Sequence, residues 1–144
     1  MNALVIHLAD EKRMLQSASQ LAKICFERYI SVGVISIVKL SGTLGAGKTT
    51  FARGFILEWA KLGKFPELNY LKSQLNSPTY NIVKCYGSQN EIAHLDLYRI
   101  EEPEEFESLD IEGYFSESRV CLVEWAELHP YVQSLIHSIR NNSK

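Results

Sequence analysis

The chain has 144 residues, of which 46% are hydrophobic and 22% are charged. This length and composition predict one globular domain and exclude an intrinsically disordered chain, which lacks the apolar area needed to offset the entropy of ordering. The formal net charge of −2, from 15 basic and 17 acidic side chains, argues against a protein that holds nucleic acid tightly by itself, because such proteins carry a basic excess.

The first half of the chain is predicted to alternate strands with helices. The apolar run from Leu4 to Leu8 fits a strand, and the carboxylate of Asp10 can cap a following helix. A run dense in β-branched residues, Val32 to Leu40, predicts a buried strand. After a glycine-rich turn, a second helix is expected from Lys48 to Leu62, with Gly63 ending it in the left-handed conformation.

A β-hairpin is predicted in the middle of the chain, after a loop at residues 64–78. Two strand-like runs, Thr79 to Tyr86 and Glu91 to Tyr98, flank four turn-forming residues. So short a connection favours an antiparallel pair.

The last part of the chain is expected to hold a short helix, Pro103 to Leu109, and a buried strand, Val120 to Glu124. The stretch Tyr131 to Ile139 is ambiguous, and an edge strand is one interpretation of it. We expect a single domain over residues 1–144, with a weakly defined C-terminal edge at about 128–144. The order of elements predicts an α/β fold with a mixed sheet and flanking helices.

The three cysteines suggest neither disulfides nor a zinc site. Cys25, Cys85 and Cys121 are widely spaced and form no CxxC pair, so reduced, buried thiols are expected. The N-terminus lacks the pattern of a secretory signal, and no apolar run approaches the roughly 18 residues needed to span a bilayer. These observations predict a cytoplasmic protein.

A phosphate-binding loop follows the strand that ends at Leu40. Residues 42–49, GTLGAGKT, satisfy the pattern GxxxxGK[ST]. The glycines let the backbone approach phosphates closely, and the loop amides and the N-terminus of the next helix attract the same anion. Lys48 can reach the β- and γ-phosphates, and the Thr49 hydroxyl can ligate Mg²⁺. The alternative is a glycine-rich turn with a chance lysine, which the position between a buried strand and a helix disfavours.

A carboxylate that holds Mg²⁺ through water is expected at the end of a neighbouring buried strand. Glu124 ends the run VCLVE, and Asp96, near the end of another strand, competes with it. Either acid can position the attacking water, and both can line the metal site. The alternative for Glu124 is the first solvated residue after a strand. His94 shares a strand face with Asp96, but no third metal ligand is evident, so it is interpreted as a structural histidine.

Two further motifs bear on the nucleotide. Ser77-Pro78-Thr79 stands where P-loop switch proteins sense the γ-phosphate, and the alternative is a loop whose proline sets the entry into a strand. Residues 110–113, DIEG, match the DxxG of GTP switches, but no hydrophobic strand precedes them and no NKxD motif occurs. ATP is therefore favoured over GTP.

Four segments stand in a recognisable order: SGTLGAGKTTFARGF at 41–55, SPTYNIV at 77–83, HLDLYRI at 94–100 and CLVEWAE at 121–127. With the acidic run at 103–115, they make the chain similar to the TsaE family of bacterial tRNA threonylcarbamoyladenosine biosynthesis proteins. The resemblance covers most of residues 1–127. It implies a P-loop NTPase-like fold and an Mg²⁺-dependent ATPase, a hydrolase that works with the TsaB and TsaD proteins and meets tRNA indirectly through that complex.

The resemblance also implies roles for individual residues, with ATP and Mg²⁺ as the bound groups. Lys48, Asp96 and Glu124 are expected to be catalytic, and Thr49 and Glu124 to bind the metal. The predicted nucleotide-binding residues are Gly42, Thr43, Leu44, Gly45, Ala46, Gly47, Lys48, Thr49, Thr50 and Thr79. Trp125 and Arg99 match motif positions without an assigned role.

Several features depart from the family or stay open. Thr43 stands where Asp is common, Ala126 where Pro is usual, the loop at 64–76 is long, and the family's usual further C-terminal strand is not expected. Residues 101–112 hold seven acidic side chains and no Lys or Arg, which fits either a solvated helix or a patch that docks a basic partner. A small-molecule kinase and a nucleotide-dependent binding switch are alternatives to the ATPase.

Overall fold

The computed structural model describes residues 10–75 and 81–142, which form a four-stranded mixed sheet with helices on both faces. The helices are α1 (Glu11–Val32), α2 (Lys48–Leu62), α3 (Leu68–Gln74), α4 (Ile111–Glu117) and α5 (Pro130–Asn142). The strands are β1 (Ser36–Leu40), β2 (Val83–Tyr86), β3 (Ile92–Asp96) and β4 (Val120–Glu124). The predicted α/β class and the antiparallel hairpin of β2 with β3 are confirmed.

The sheet order β1-β4-β3-β2 brings the carboxyl ends of three parallel strands together. Leu40 of β1 lies opposite Glu124 of β4, and Glu124 lies opposite Asp96 of β3. Ligands of open α/β sheets bind outside the carboxyl ends of parallel strands. The topology therefore places the phosphate loop after β1 and both candidate acids at one end of the sheet.

Each face of the sheet has its own apolar core. On one face α1 and α2 pack over Ile92, Val120 and Leu122, around a fully buried Trp59. On the other face α4 and α5 cover Leu95 and Val123 with their neighbours. The side chains of β3 and β4 therefore alternate between a face toward α2 and a face toward α4 and α5.

The first two helices were largely predicted, but the backbone around their ends was not. Asp10 caps α1 as expected, since its Oδ1 accepts from Arg13 N at 2.8 Å, and α2 has the expected bounds. The strand expected from Val32 begins only at Ser36, because Gly33, at φ 68°, ends α1 in the left-handed conformation. Gly63 is instead right-handed at φ −78°, and Lys64 adopts the left-handed conformation at φ 54°.

Three segments differ from the sequence interpretation. The expected loop at 64–78 contains α3, and the candidate edge strand Tyr131–Ile139 is part of α5, whose apolar side chains pack on the second core at helical spacing. The expected helix from Pro103 is a short 3-10 turn ending at Phe106, with α4 following it. The predicted strand Leu4–Leu8 and the segment Ser77–Thr79 lie outside the described residues.

In the acidic segment 101–112, one carboxylate stabilises the local backbone. Glu105 Oε1 accepts from the backbone amides of Glu101 and Glu102 at 3.0 Å, and these hydrogen bonds lower the pKa of that exposed carboxyl.

All three cysteines are free, and burial raises the pKa of the Cys121 thiol to about 12. Within residues 10–75 and 81–142, no group of three or more His, Cys, Asp or Glu side chains is arranged to hold a metal, and no helix is long and apolar enough to cross a bilayer.

Candidate functional site

The phosphate loop, residues 42–47, connects the end of β1 to the start of α2. Its backbone favours glycine at Gly45 and Gly47, which have φ values of 76° and 93°. Gly47 also lies against α1, since a Cβ at this position would overlap the thioether of Met14. The loop is thus shaped by its own glycines and supported by the first turn of the neighbouring helix.

Lys48, the first residue of α2, turns back into the loop. Its ammonium donates to the carbonyl oxygens of Gly42 and Thr43, the latter at 2.8 Å, and lies 3.8 Å from the ring centroid of Trp125. The residue is only 8% exposed. A buried ammonium needs such partners, and here backbone carbonyls and an aromatic face satisfy the positive charge that a phosphate would otherwise meet.

Thr49 and Glu124 join α2 to the end of β4. Thr49 Oγ1 donates to Glu124 Oε1 at 3.2 Å, and Glu124 Oε2 lies 2.7 Å from His94 Nε2. The Glu124 side chain is only 3% exposed. The alternative interpretation of Glu124, as the first solvated residue after a strand, is therefore wrong. A hydroxyl and a carboxylate are the oxygen donors that Mg²⁺ prefers, so this pair fits the predicted metal site.

Asp96 lies one strand away, opposite Glu124, and is more accessible. It accepts from the backbone amide of Tyr98 at 3.2 Å, which fixes the turn after β3. Asp96 lines the same cavity as Glu124. The two acids that the sequence could not separate have different partners, since Glu124 accepts from Thr49 and Asp96 accepts from the backbone after β3.

Trp125 is a site residue whose role the sequence left unassigned. It follows β4 with φ 65°, and its ring packs at 5.0 Å, centroid to centroid, against the exposed ring of Tyr98. Trp125 therefore contacts both the Lys48 ammonium and the Tyr98 ring. The signal in the sequence was the position of Trp125 directly after Glu124, but nothing local indicates which cation the ring contacts.

A cavity of about 320 Å³ contains most of the predicted residues. Its lining consists of Leu44, Gly45, Ala46, Gly47, Lys48, Thr49, Thr50, Asp96, Tyr98, Glu124 and Trp125. Gly42 and Thr43 adjoin it through their contacts with Lys48, and Thr79 lies outside the described residues. The DxxG sequence plays a different part, because Asp110 caps α4 by accepting from Gly113 N.

Comparison with known proteins points to one family. The sequence model of the family described as "Threonylcarbamoyl adenosine biosynthesis protein TsaE" matches residues 8–143. Proteins named tRNA threonylcarbamoyladenosine biosynthesis protein TsaE are similar: that of Haemophilus influenzae is 35% identical over 88% of this chain and 73% of its own, and that of Bacillus subtilis is 42% identical over 64% and 51%. The chain thus spans between half and about three-quarters of the length of these relatives.

Proposed function

The chain belongs to the TsaE family, and we propose from this that it is an Mg²⁺-dependent ATPase that serves threonylcarbamoyladenosine modification of tRNA. The observation that carries the proposal is the contact at 3.2 Å between Thr49 Oγ1 and Glu124 Oε1, directly below a phosphate loop. Thr49 follows the loop lysine and Glu124 ends a buried parallel strand, the arrangement in which P-loop NTPases hold nucleotide and metal.

The loop and Lys48 account for phosphate binding. The loop amides and the N-terminus of α2 provide donors and a positive end for an anion. The Lys48 ammonium has three N–H donors, and two of them donate to the carbonyls of Gly42 and Thr43. The ammonium also lies over the Trp125 ring, and we expect a phosphate oxygen to replace that ring contact.

The two acids divide the chemistry. Glu124, with Thr49, holds Mg²⁺, which when bound neutralises charge that develops on the phosphates. Asp96, the half-buried last residue of β3, lines the same cavity, and we assign it the orientation of the attacking water. Trp125 and Tyr98, whose rings pack together, line the same cavity.

The biological role includes TsaB and TsaD as partners and tRNA as an indirect one. We propose ATP as the nucleotide, since the only DxxG of the sequence is a helix cap. The net charge of −2 supports contact with tRNA through a complex instead of directly.

Reconstituted tRNA modification tests this function. TsaB, TsaD, tRNA and ATP are combined with the wild-type chain, with Lys48→Ala, or with Lys61→Ala, a control on the exposed end of the same helix. Sustained formation of threonylcarbamoyladenosine should require the chain, fail with Lys48→Ala and persist with Lys61→Ala. Equal modification without the chain would contradict the proposal.

A nucleotide-dependent binding switch is a second candidate, favoured by the same lysine. Because Lys48 is held by loop carbonyls and by Trp125, a phosphate that draws its ammonium from the ring would change the surface around the loop. The affinity of the chain for TsaB–TsaD should then differ among the ATP-bound, ADP-bound and nucleotide-free states. Identical affinities in all three would exclude the switch.

A further inference from the structure

A buried histidine lies beneath the Thr49–Glu124 contact and has no part in the function proposed above. The His94 side chain is 10% exposed, and its Nε2 lies 2.7 Å from Glu124 Oε2. We propose that His94 is a positioning residue, which holds the Glu124 carboxylate in the one orientation that presents Oε1 to Thr49 and to the metal. The inference rests on the proposed function and names a residue on which its metal site depends.

The sheet register explains why these two side chains meet. His94 lies opposite Leu122 in the parallel pair of β3 and β4, and Glu124 is two residues further along β4. All three side chains therefore point to the same face, the one covered by α2. The contact is a diagonal cross-strand pair, part-buried on the face of the sheet that α2 covers.

His94 acts through Glu124 and does not contact the nucleotide. It is absent from the lining of the phosphate cavity as the described residues define it, whereas Glu124 is part of that lining. An ionised carboxylate can only accept, so the Nε2–H of His94 is the donor. With one oxygen taken by His94, the other is left toward Thr49, and rotation of the carboxylate would break both contacts.

The consequence concerns the metal more than the nucleotide. Groups that hydrogen-bond to metal ligands fix the orientation of those ligands, and their loss lowers metal affinity or activity by roughly 10- to 100-fold. His94→Leu replaces the imidazole with an apolar side chain of similar size and so removes the hydrogen-bond donor. We expect the Mg²⁺ concentration at half-saturation of ADP binding to rise about 10-fold or more, while ADP affinity in EDTA stays within about 2-fold.

Titration calorimetry with ADP, in EDTA and across Mg²⁺ concentrations, is the experiment. His94→Gln, whose amide can donate to the same oxygen, should restore much of the Mg²⁺ dependence. His129→Gln is the matched control: His129 is also buried, and its Nε2 meets Leu97 O at 2.9 Å, so this variant should leave the Mg²⁺ dependence unchanged. An unaltered Mg²⁺ half-saturation in His94→Leu would overturn the inference.

A measurement on the wild-type chain protects the test against a misfolded variant. Long-range ¹H–¹⁵N correlation spectra should show His94 with its proton on Nε2, and a proton on Nδ1 alone would contradict the inference. Failure of the proposed function is distinguishable, because a wild-type chain that binds ADP in no condition would contradict the phosphate site itself. Normal Mg²⁺-dependent binding by both the wild type and His94→Leu would contradict only the role of His94.

Discussion

Replacing Trp125 with Leu should tighten nucleotide binding. The ring lies 3.8 Å from the Lys48 ammonium, which is 8% exposed, so the cation–π contact is close to the desolvated limit of about 2 kcal/mol. This contact stabilises the nucleotide-free arrangement, in which the lysine also donates to Gly42 and Thr43. If Lys48 leaves the ring to meet phosphate, the wild-type chain gives up this contact on binding, whereas Trp125→Leu has no such contact to lose. The variant should therefore bind nucleotide about 30-fold more tightly, the factor that corresponds to about 2 kcal/mol.

Titration calorimetry with ADP measures this change directly and does not depend on the tryptophan as a probe. Tyr98→Leu is the control, because it removes the ring packed on Trp125 and leaves the ring over the lysine, so a smaller change is expected. A double-mutant cycle of Trp125→Leu and Lys48→Met, measured by urea unfolding of the nucleotide-free chain, should give a coupling free energy of about 1–2 kcal/mol between the two side chains. Unchanged or weaker ADP binding by a folded Trp125→Leu would refute the reasoning.

Three further predictions concern stability, and urea unfolding checks each of them. Asp110→Ala removes the cap of α4 and should cost about 1 kcal/mol with no change in ADP affinity, whereas a loss of ADP binding would restore the DxxG switch interpretation. Gly54→Val should cost about 1–3 kcal/mol by overpacking, because even a Cβ there would lie 2.8 Å from Leu15 Cδ2, and an unchanged free energy of unfolding would argue against tight packing of α1 on α2. Burial raises the pKa of Cys121 to about 12, whereas a thiol in an unfolded chain titrates near 8.5. The unfolded state therefore loses this proton first, so the free energy of unfolding should fall as the pH rises above about 8.5, and Cys121→Ala should reduce that fall.

The parts of the site that lie in one continuous segment were predictable. The loop at 42–49 is defined by local backbone requirements, and Val120 to Glu124 is a strand whose apolar run ends in an acid. Both depend on residues next to each other in the chain. The two segments meet because each lies at the carboxyl end of a parallel strand, and ligands of open α/β sheets bind outside those ends.

The contacts that refine the site were not predictable, because they join distant residues. His94 meets Glu124 across neighbouring strands, and Lys48, in the segment after β1, meets Trp125, which follows the neighbouring strand β4. The HxD spacing indicated the shared face of His94 and Asp96, but not the neighbouring strand. The ambiguity over Tyr131–Ile139, which is part of α5, has another cause, because periodicity alone separates poorly a short strand from an amphipathic helix.

The most direct test of the central claim is ATP turnover, measured as phosphate release in the presence of Mg²⁺, TsaB and TsaD. The wild-type chain should hydrolyse ATP, and Lys48→Ala should lose turnover. In Glu124→Gln the rate of phosphate release should fall roughly 100-fold or more, while the ADP affinity in EDTA stays within a few-fold of the wild-type value. Phosphate release that is unaffected by Lys48→Ala would contradict the account.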